Sequence, residues 1–199
     1  MTGRWYDRPG KPARQRPRDL PTHFALTDPR RFPDTLSFAD AIPDGWGVIY
    51  RHFGAPDRAR VAIGLSQLAE TRGWVLLVAN DPELALGCGA HGVHWPERQH
   101  QEAVRWRRSQ RNSILTMSAH SGAAVRRAAQ LGADAAFLSP VRQTASPGSG
   151  TPLGWLRAGT IARRSNLPVF ALGGLTAHDA QHAWRLGFSG LGMISGVTG

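Results

Sequence analysis

Several features that define particular protein classes are scarce in this sequence. Cys88 is the only cysteine among 199 residues, which excludes an internal disulfide and predicts a reducing, cytoplasmic location. No apolar run is long enough for a signal peptide or a membrane-spanning helix, and nothing repeats at a fixed period beyond an alternation of strands and helices. We therefore expect a single domain that has no membrane partner.

Acidic residues are also scarce, since 14 Asp and Glu stand against 24 Lys and Arg, a net charge of +10. Much of the excess lies in residues 1–20, which we interpret as a flexible, Pro-rich basic arm before one domain over residues 21–199. More arginines lie between Arg105 and Arg111 on a predicted helix. Because the pattern of aromatic residues there does not resemble a surface that reads RNA or DNA, a solvated face is favoured and a nucleic-acid partner is disfavoured.

The rest of the chain alternates short apolar runs with helical patterns, which is typical of a parallel α/β fold. The predicted strands begin near residues 23, 47, 74, 92, 113, 134, 168 and 190. We predict a (β/α)8 (TIM) barrel, small for a class that typically has about 250 residues. The eighth helix is expected to be missing, because the sequence ends at Gly199, just after the last strand.

The last two predicted strands end in glycine-rich turns. Gly173 and Gly174 follow one strand and Ser195 and Gly196 follow the next, so neither turn carries a bulky side chain that would keep a ligand from the backbone. Backbone N–H groups at neighbouring strand ends bind anions, and barrel enzymes often hold phosphate after their last two strands. The pattern indicates a phosphate site, with simple tight turns as the alternative.

A serine and a histidine lie at the end of the predicted fifth strand. Ser118 and His120 are two residues apart, so their side chains share one side of the strand, at the barrel mouth. Imidazole donates and accepts protons near neutral pH, which makes His120 the best candidate for a general acid and base. A purely structural histidine is the alternative.

Other polar residues at strand ends are candidate ligands. Arg51 suits an anion, with an ion pair inside the barrel as an equal alternative. Asn80 and Asp81 end the third strand, where oxygen ligands for Mg²⁺ are common, but Asp81 precedes a proline and also fits a helix N-cap. The long loop after strand six carries Arg142, Thr144 and Ser146, which we predict to close over a phosphorylated ligand, with a plain disordered loop as the alternative.

A series of short segments occurs in the order and spacing of a known family. The segments are Leu26–Asp28, Arg51, Val78–Asp81, Glu83–Ala85, Gly89–His94, Ser118–Ser121, Gly132–Asp134, Ser139–Val141, Thr144, Pro152–Gly154, Pro168–Leu175 and Met193–Ser195. On these segments the chain resembles the thiamine phosphate synthase and TenI family, small (β/α)8 barrels that act on a thiazole phosphate. The resemblance implies that Gly173, Gly174, Ile194 and Ser195 hold the phosphate.

The departures from the family pattern concern its synthases. These join a pyrimidine pyrophosphate to the thiazole phosphate, using a Gln-x-Arg-x-Lys strand, two acidic Mg²⁺ ligands and a loop lysine. Here only Arg51 of that strand remains, Pro147 stands at the loop lysine, and Glu97 replaces the second acidic ligand only if the backbone shifts. Because cations take up the charge that develops on a leaving pyrophosphate, we expect weak or absent synthase activity.

The resemblance instead implies a TenI-like thiazole tautomerase, an isomerase that moves a proton within a thiazole carboxylate phosphate. His120 would then shuttle the proton beside Ser118, and Arg51 would recognise the carboxylate, with no cofactor required. Two alternatives stay open: a divergent synthase, in which Mg²⁺ at Asp81 is possible, and a non-catalytic sensor or accessory protein that binds a phosphorylated ligand. The resemblance also suggests a homodimer, and either the arm or a second subunit is predicted to cover strand eight.

Overall fold

Eight parallel strands close into a barrel in a computed structural model that describes residues 20–146 and 150–197. Neighbours in the chain are neighbours in the barrel, and the first strand closes it by pairing with the last. The strands are β1 (His23–Leu26), β2 (Gly47–Tyr50), β3 (Val75–Ala79), β4 (Gly92–Trp95), β5 (Ile114–Ala119), β6 (Ala135–Leu138), β7 (Val169–Leu172) and β8 (Gly190–Met193). The predicted (β/α)8 barrel is thus confirmed.

Seven helices surround the barrel, and no helix follows β8 within the residues described, as the sequence predicts. They are α1 (Thr35–Asp40), α2 (Arg58–Arg72), α3 (Pro82–Cys88), α4 (His100–Ser109), α5 (Gly122–Gln130), α6 (Trp155–Arg163) and α7 (Ala180–Arg185), with 3₁₀ turns at Glu97–Gln99 and Ala177–Asp179. None of the helices over residues 20–146 and 150–197 has the length and apolarity to cross a membrane.

Aromatic side chains fill the inside of the barrel. Phe24, Phe137 and Phe170 are almost fully buried, and their ring centroids lie 5.0–5.3 Å apart. Gly47 makes room for this cluster, because a Cβ there would lie 2.1 Å from the ring of Phe24. A filled interior is typical of the fold, and it leaves the carboxyl ends of the strands as the place for a ligand.

The flank of β8 is covered in the folded chain. Leu191 and Met193 are 0% and 1% exposed. The basic arm with Trp5 and Tyr6 lies outside the described residues, so its proposed contact with β8, its flexibility and the division into arm and domain stay predictions. The homodimer likewise stays a prediction.

Candidate active site

A cavity of about 930 Å³ opens at the carboxyl ends of the strands. Its lining includes every residue that the sequence suggested for catalysis or substrate binding, namely Arg51, Asn80, Ser118, His120, Thr144, Ser146, Gly173, Gly174, Ile194 and Ser195. Asp81, the suggested metal ligand, is not part of the lining. The barrel therefore brings together residues that lie up to 144 positions apart in the sequence, between Arg51 and Ser195.

The turns after β7 and β8 form a glycine-rich cup in this cavity. Gly173 and Gly174 have φ of +103° and +65°, a region that favours glycine. A Cβ on Gly174 would lie 2.1 Å from the backbone oxygen of Gln143. The N–H groups of Gly174 and Ser195 donate to no backbone group of the described residues. Such N–H groups are able to donate hydrogen bonds to the oxygens of a phosphate.

Arg31, from the loop after β1, reaches the same cup. Its Nη1 donates a hydrogen bond to Oγ of Ser195, and its Nε lies 4.0 Å from a carboxylate oxygen of Asp28. Arg31 lines the cavity and places a guanidinium beside one of the predicted phosphate ligands. Guanidinium groups bind phosphate through charge-assisted hydrogen bonds, so Arg31 adds positive charge where backbone N–H groups alone were expected.

Arg51 is held rigidly at the end of β2. Its Nε donates to the backbone oxygen of Thr27 at 2.8 Å, and its Nη2 lies 3.7 Å from the Asp28 carboxylate. Burial lowers the pKa of Arg51, while Asp28 opposes that shift and Arg31 adds to it. No aspartate or glutamate lines the cavity in the described residues, whereas Arg31, Arg51 and Arg98 do. The lining is therefore suited to an anionic ligand.

Two histidines line the cavity, and they lie in opposite environments. His94 on β4 is 5% exposed, and its Nδ1 and Nε2 are 2.9 and 2.8 Å from the hydroxyls of Thr116 and Ser118. Burial, together with the charge of Arg51, lowers the pKa of His94 to about 3. His94 therefore stays neutral near pH 7 and fixes the Ser118 hydroxyl.

His120 lies after β5, and its side chain is 56% exposed. Its Nδ1 is 2.9 Å from Oε2 of Glu97, and its backbone N–H donates to the same oxygen at 3.0 Å. Oε1 of Glu97 accepts a hydrogen bond from Arg127 at 3.1 Å. Of the two cavity histidines, His120 is thus the one placed to exchange protons with a ligand, with a carboxylate behind its ring.

Comparison with known proteins shows which family the chain is similar to. A family model described as thiamine monophosphate synthase matches residues 34–197. The chain belongs to this family. The putative thiamine-phosphate synthase 2 of Aquifex aeolicus (strain VF5) is 29% identical over 182 residues, which cover 89% of this chain and 97% of that protein. The thiamine-phosphate synthase of Roseiflexus castenholzii (strain DSM 13941 / HLO8) is 33% identical over 184 residues, 88% of this chain and 80% of that one.

A solved structure gives the same fold. The thiamine phosphate pyrophosphorylase from Pyrococcus furiosus superposes with a TM-score of 0.80 at 23% identity, covering 92% of this chain and 90% of its own. The family, its place in thiamine biosynthesis and its barrel are thus established for this chain. Which reaction the site performs depends on the residues in it.

The Mg²⁺ site that a synthase of this family implies does not fit the residues present. Oδ2 of Asp81 pairs with Nη1 of Arg58 at 2.6 Å, and Oδ1 accepts the N–H of Leu84 as the N-cap of α3. Glu97, the suggested second ligand, is bound to His120 and Arg127. No group of three or more His, Cys, Asp or Glu side chains is arranged for a metal within residues 20–146 and 150–197. Arg58 supplies the positive charge beside Asp81.

The described part of the loop after β6 contributes to the cavity lining. Thr144 and Ser146 line the cavity, and the N–H of Ser146 donates to the Thr144 hydroxyl at 3.3 Å. Arg142, the third residue predicted to close over the ligand, instead forms an ion pair of 3.2 Å with Asp179 in the 3₁₀ turn after β7 and does not line the cavity. Pro147, where the family pattern has lysine, lies outside the described residues. Closure of this loop over a ligand stays a prediction.

Four site residues were not recognised in their roles from the sequence. Arg31, Arg58 and His94 were given no role, and Glu97 was considered only as a metal ligand. The sequence indicates these roles only weakly. Arg31 lies a few residues after β1, and His94 is one of the alternating residues of β4. Each contact joins two elements whose relative placement only the closed barrel provides.

Proposed function

We propose that this protein is a TenI-like thiazole tautomerase, which moves a proton within a thiazole carboxylate phosphate. One observation carries the proposal: His120 lies in the same cavity as the cup of Gly173, Gly174 and Ser195, with its ring held by Glu97. A phosphate-binding cup beside an exposed imidazole is sufficient equipment for proton transfer within a phosphorylated heterocycle.

Each step of the reaction can be given to residues of this chain. Backbone N–H groups of the cup and the guanidinium of Arg31 bind the phosphate, and Arg51 binds the substrate carboxylate. The free ring nitrogen of His120 accepts a proton from the substrate, and the resulting imidazolium returns a proton to another substrate atom. The proton count balances, and no second substrate is consumed.

Ser118 and His94 act together in this proposal. Because His94 is neutral near pH 7, it does not compete with His120 as an acid. Its ring nitrogens bond the hydroxyls of Thr116 and Ser118, so the Ser118 hydroxyl keeps one orientation toward the substrate ring. Positioned groups of this kind align the ring with the base, which raises the rate by removing unproductive arrangements.

A divergent thiamine phosphate synthase is the second candidate, because the relatives named above are called thiamine-phosphate synthases. The residues of this chain favour it less. Phe53, 59% exposed, stands at the strand lysine of the family pattern, and Asp81 is bound by Arg58. Lys11 is the only lysine of the chain, so no lysine is available in the barrel to neutralise a leaving pyrophosphate.

The proposal is tested by conversion and by ligand binding with one set of variants. We expect the wild type to aromatise thiazole carboxylate phosphate, as followed by NMR, and His120→Gln to lower kcat roughly 10²–10⁴-fold. Calorimetry with thiazole phosphate should give the same Kd for both proteins. His178→Gln, at an exposed histidine outside the cavity, is the matched control and should behave as wild type.

Two other results would each point to another function. Thiamine phosphate formed from thiazole phosphate, pyrimidine pyrophosphate and Mg²⁺ at a rate above that of aromatisation would establish the synthase. Binding of thiazole phosphate with no conversion of either substrate set would favour the sensor or accessory role.

A further inference from the structure

Glu97 connects three elements around the candidate base. It lies in the 3₁₀ turn after β4. Its Oε2 accepts a hydrogen bond from the backbone N–H of His120 at 3.0 Å and lies 2.9 Å from Nδ1 of the same residue. Its Oε1 accepts a hydrogen bond of 3.1 Å from Nη2 of Arg127, which lies on α5. Both carboxylate oxygens are therefore used, and the plane of the His120 ring is fixed from behind.

The other ring nitrogen of His120 is left for the ligand. Nε2 has no hydrogen-bond partner among the described residues, and His120 lines the cavity. An ionised carboxylate only accepts hydrogen bonds, so the nitrogen facing Glu97 must carry the hydrogen. In the neutral ring the second nitrogen then holds a lone pair, which is the form that a general base needs.

We propose that Glu97 is a positioning residue for His120, which fixes the Nδ1–H tautomer and so presents Nε2 to the substrate as the proton acceptor. The inference builds on the proposed tautomerase function. The same carboxylate also stabilises the imidazolium that forms when Nε2 takes up a proton, and Arg127 holds the carboxylate in place.

Glu97 must be ionised to hold His120 in this way, and its surroundings favour the ionised form. Burial raises its pKa, but hydrogen bonds from the side chain and backbone of His120 and the charges of His120 and Arg127 outweigh burial and lower the pKa overall. Orientation of an imidazole by a carboxylate behind it is a general arrangement in enzymes that use histidine as a base. Here the arrangement is formed by residues 23 positions apart that meet where β4 and β5 end.

The test is the tautomer of His120, measured by ¹⁵N NMR of the imidazole nitrogens. Wild type and Glu97→Gln are compared, and the His120→Gln spectrum assigns the signals. Glu102→Gln is the matched control, because Glu102 is a carboxylate near the start of α4 that is ion-paired with Arg105 and does not line the cavity. The amide introduced by Glu97→Gln either accepts or donates a hydrogen bond, so it no longer selects one tautomer.

We expect neutral His120 of the wild type and of Glu102→Gln to be almost entirely the Nδ1–H tautomer, and Glu97→Gln to show a mixture. We expect kcat of Glu97→Gln to fall roughly 10–100-fold, as for other partners that orient a histidine, while KM changes less than about twofold.

Three results would overturn the proposal. The first is a wild-type His120 in the Nε2–H form, which needs no variant and holds even if Glu97→Gln fails to fold. The second is an unchanged tautomer in folded Glu97→Gln. The third is an unchanged kcat for Glu97→Gln, if the wild type aromatises the thiazole. If the wild type converts no thiazole, the tautomerase function fails, and the ¹⁵N spectra still decide whether Glu97 orients His120.

Discussion

Replacing His94 with glutamine should change how the stability of the protein depends on pH. The folded pKa of His94 is about 3, against an ordinary value of 6.5, because burial and then the charge of Arg51 disfavour its protonated form. Below pH 6.5 the unfolded chain binds a proton at this residue that the folded chain does not. The stability that neutral His94 contributes is therefore complete above pH 6.5 and is lost as pH falls toward 3.

The size of the effect follows from the shift. Between pH 6.5 and pH 4.5, protonation of His94 in the unfolded chain should cost the wild type about 2 kcal/mol of unfolding free energy that His94→Gln does not lose. Burial also lowers the pKa values of His23 and His52, but both residues are present in both proteins and their contributions cancel in the comparison.

Urea unfolding followed by tryptophan fluorescence at pH 6.5, 5.5 and 4.5 measures this difference. His178→Gln, at an exposed histidine outside the cavity, is the control for removal of a histidine side chain. The slope is the readout, so a constant loss of stability from the altered bonds to Thr116 and Ser118 does not affect the comparison. Equal slopes for wild type and His94→Gln would refute the reasoning, because His94 would then titrate ordinarily and be a second candidate for the base.

Two predictions concern phosphate binding, each measured as the Kd for thiazole phosphate by calorimetry. Gly174→Ala should abolish binding, because its Cβ would meet backbone at 2.1 Å with φ at +65°, whereas Gly45→Ala, at φ +75° with nothing within 4 Å, should cost only about 1 kcal/mol of stability and leave Kd unchanged. Arg31→Gln should raise Kd about tenfold through loss of a charge-assisted bond beside Ser195, and the exposed Arg30→Gln should not. Tight binding by Gly174→Ala, or equal Kd values for the two arginine variants, would contradict the placement of the phosphate.

The fold and part of the candidate site were predictable because the sequence patterns that indicate them are local. Short apolar runs alternating with helical patterns specify the barrel, and the turns at Gly173 and Gly174 need glycine for their positive φ. That Ser118 and His120 both face the cavity follows from the two-residue period of a strand. Such features depend on the neighbouring residues of one segment, which a single sequence displays.

The electrostatic arrangement was not predictable, because it is formed between segments. Arg31 meets Ser195 across 164 positions, which requires β1 and β8 to pair and close the barrel. Arg58 meets Asp81 only through the packing of α2 against the end of β3. These contacts depend on strand register and on the conformations of long side chains, and neither is specified by residue type.

Deuterium incorporation during aromatisation tests the central claim most directly. Thiazole carboxylate phosphate is incubated in D₂O with the wild type or with His120→Gln, and label in the product is followed by NMR and mass spectrometry. A base that exchanges with solvent while it moves the proton should introduce deuterium during turnover by the wild type, at a rate at least about 100-fold above that of the variant. Equal rates for the two proteins, or no aromatisation by the wild type, would contradict the account of this barrel as a proton-transfer enzyme built on His120.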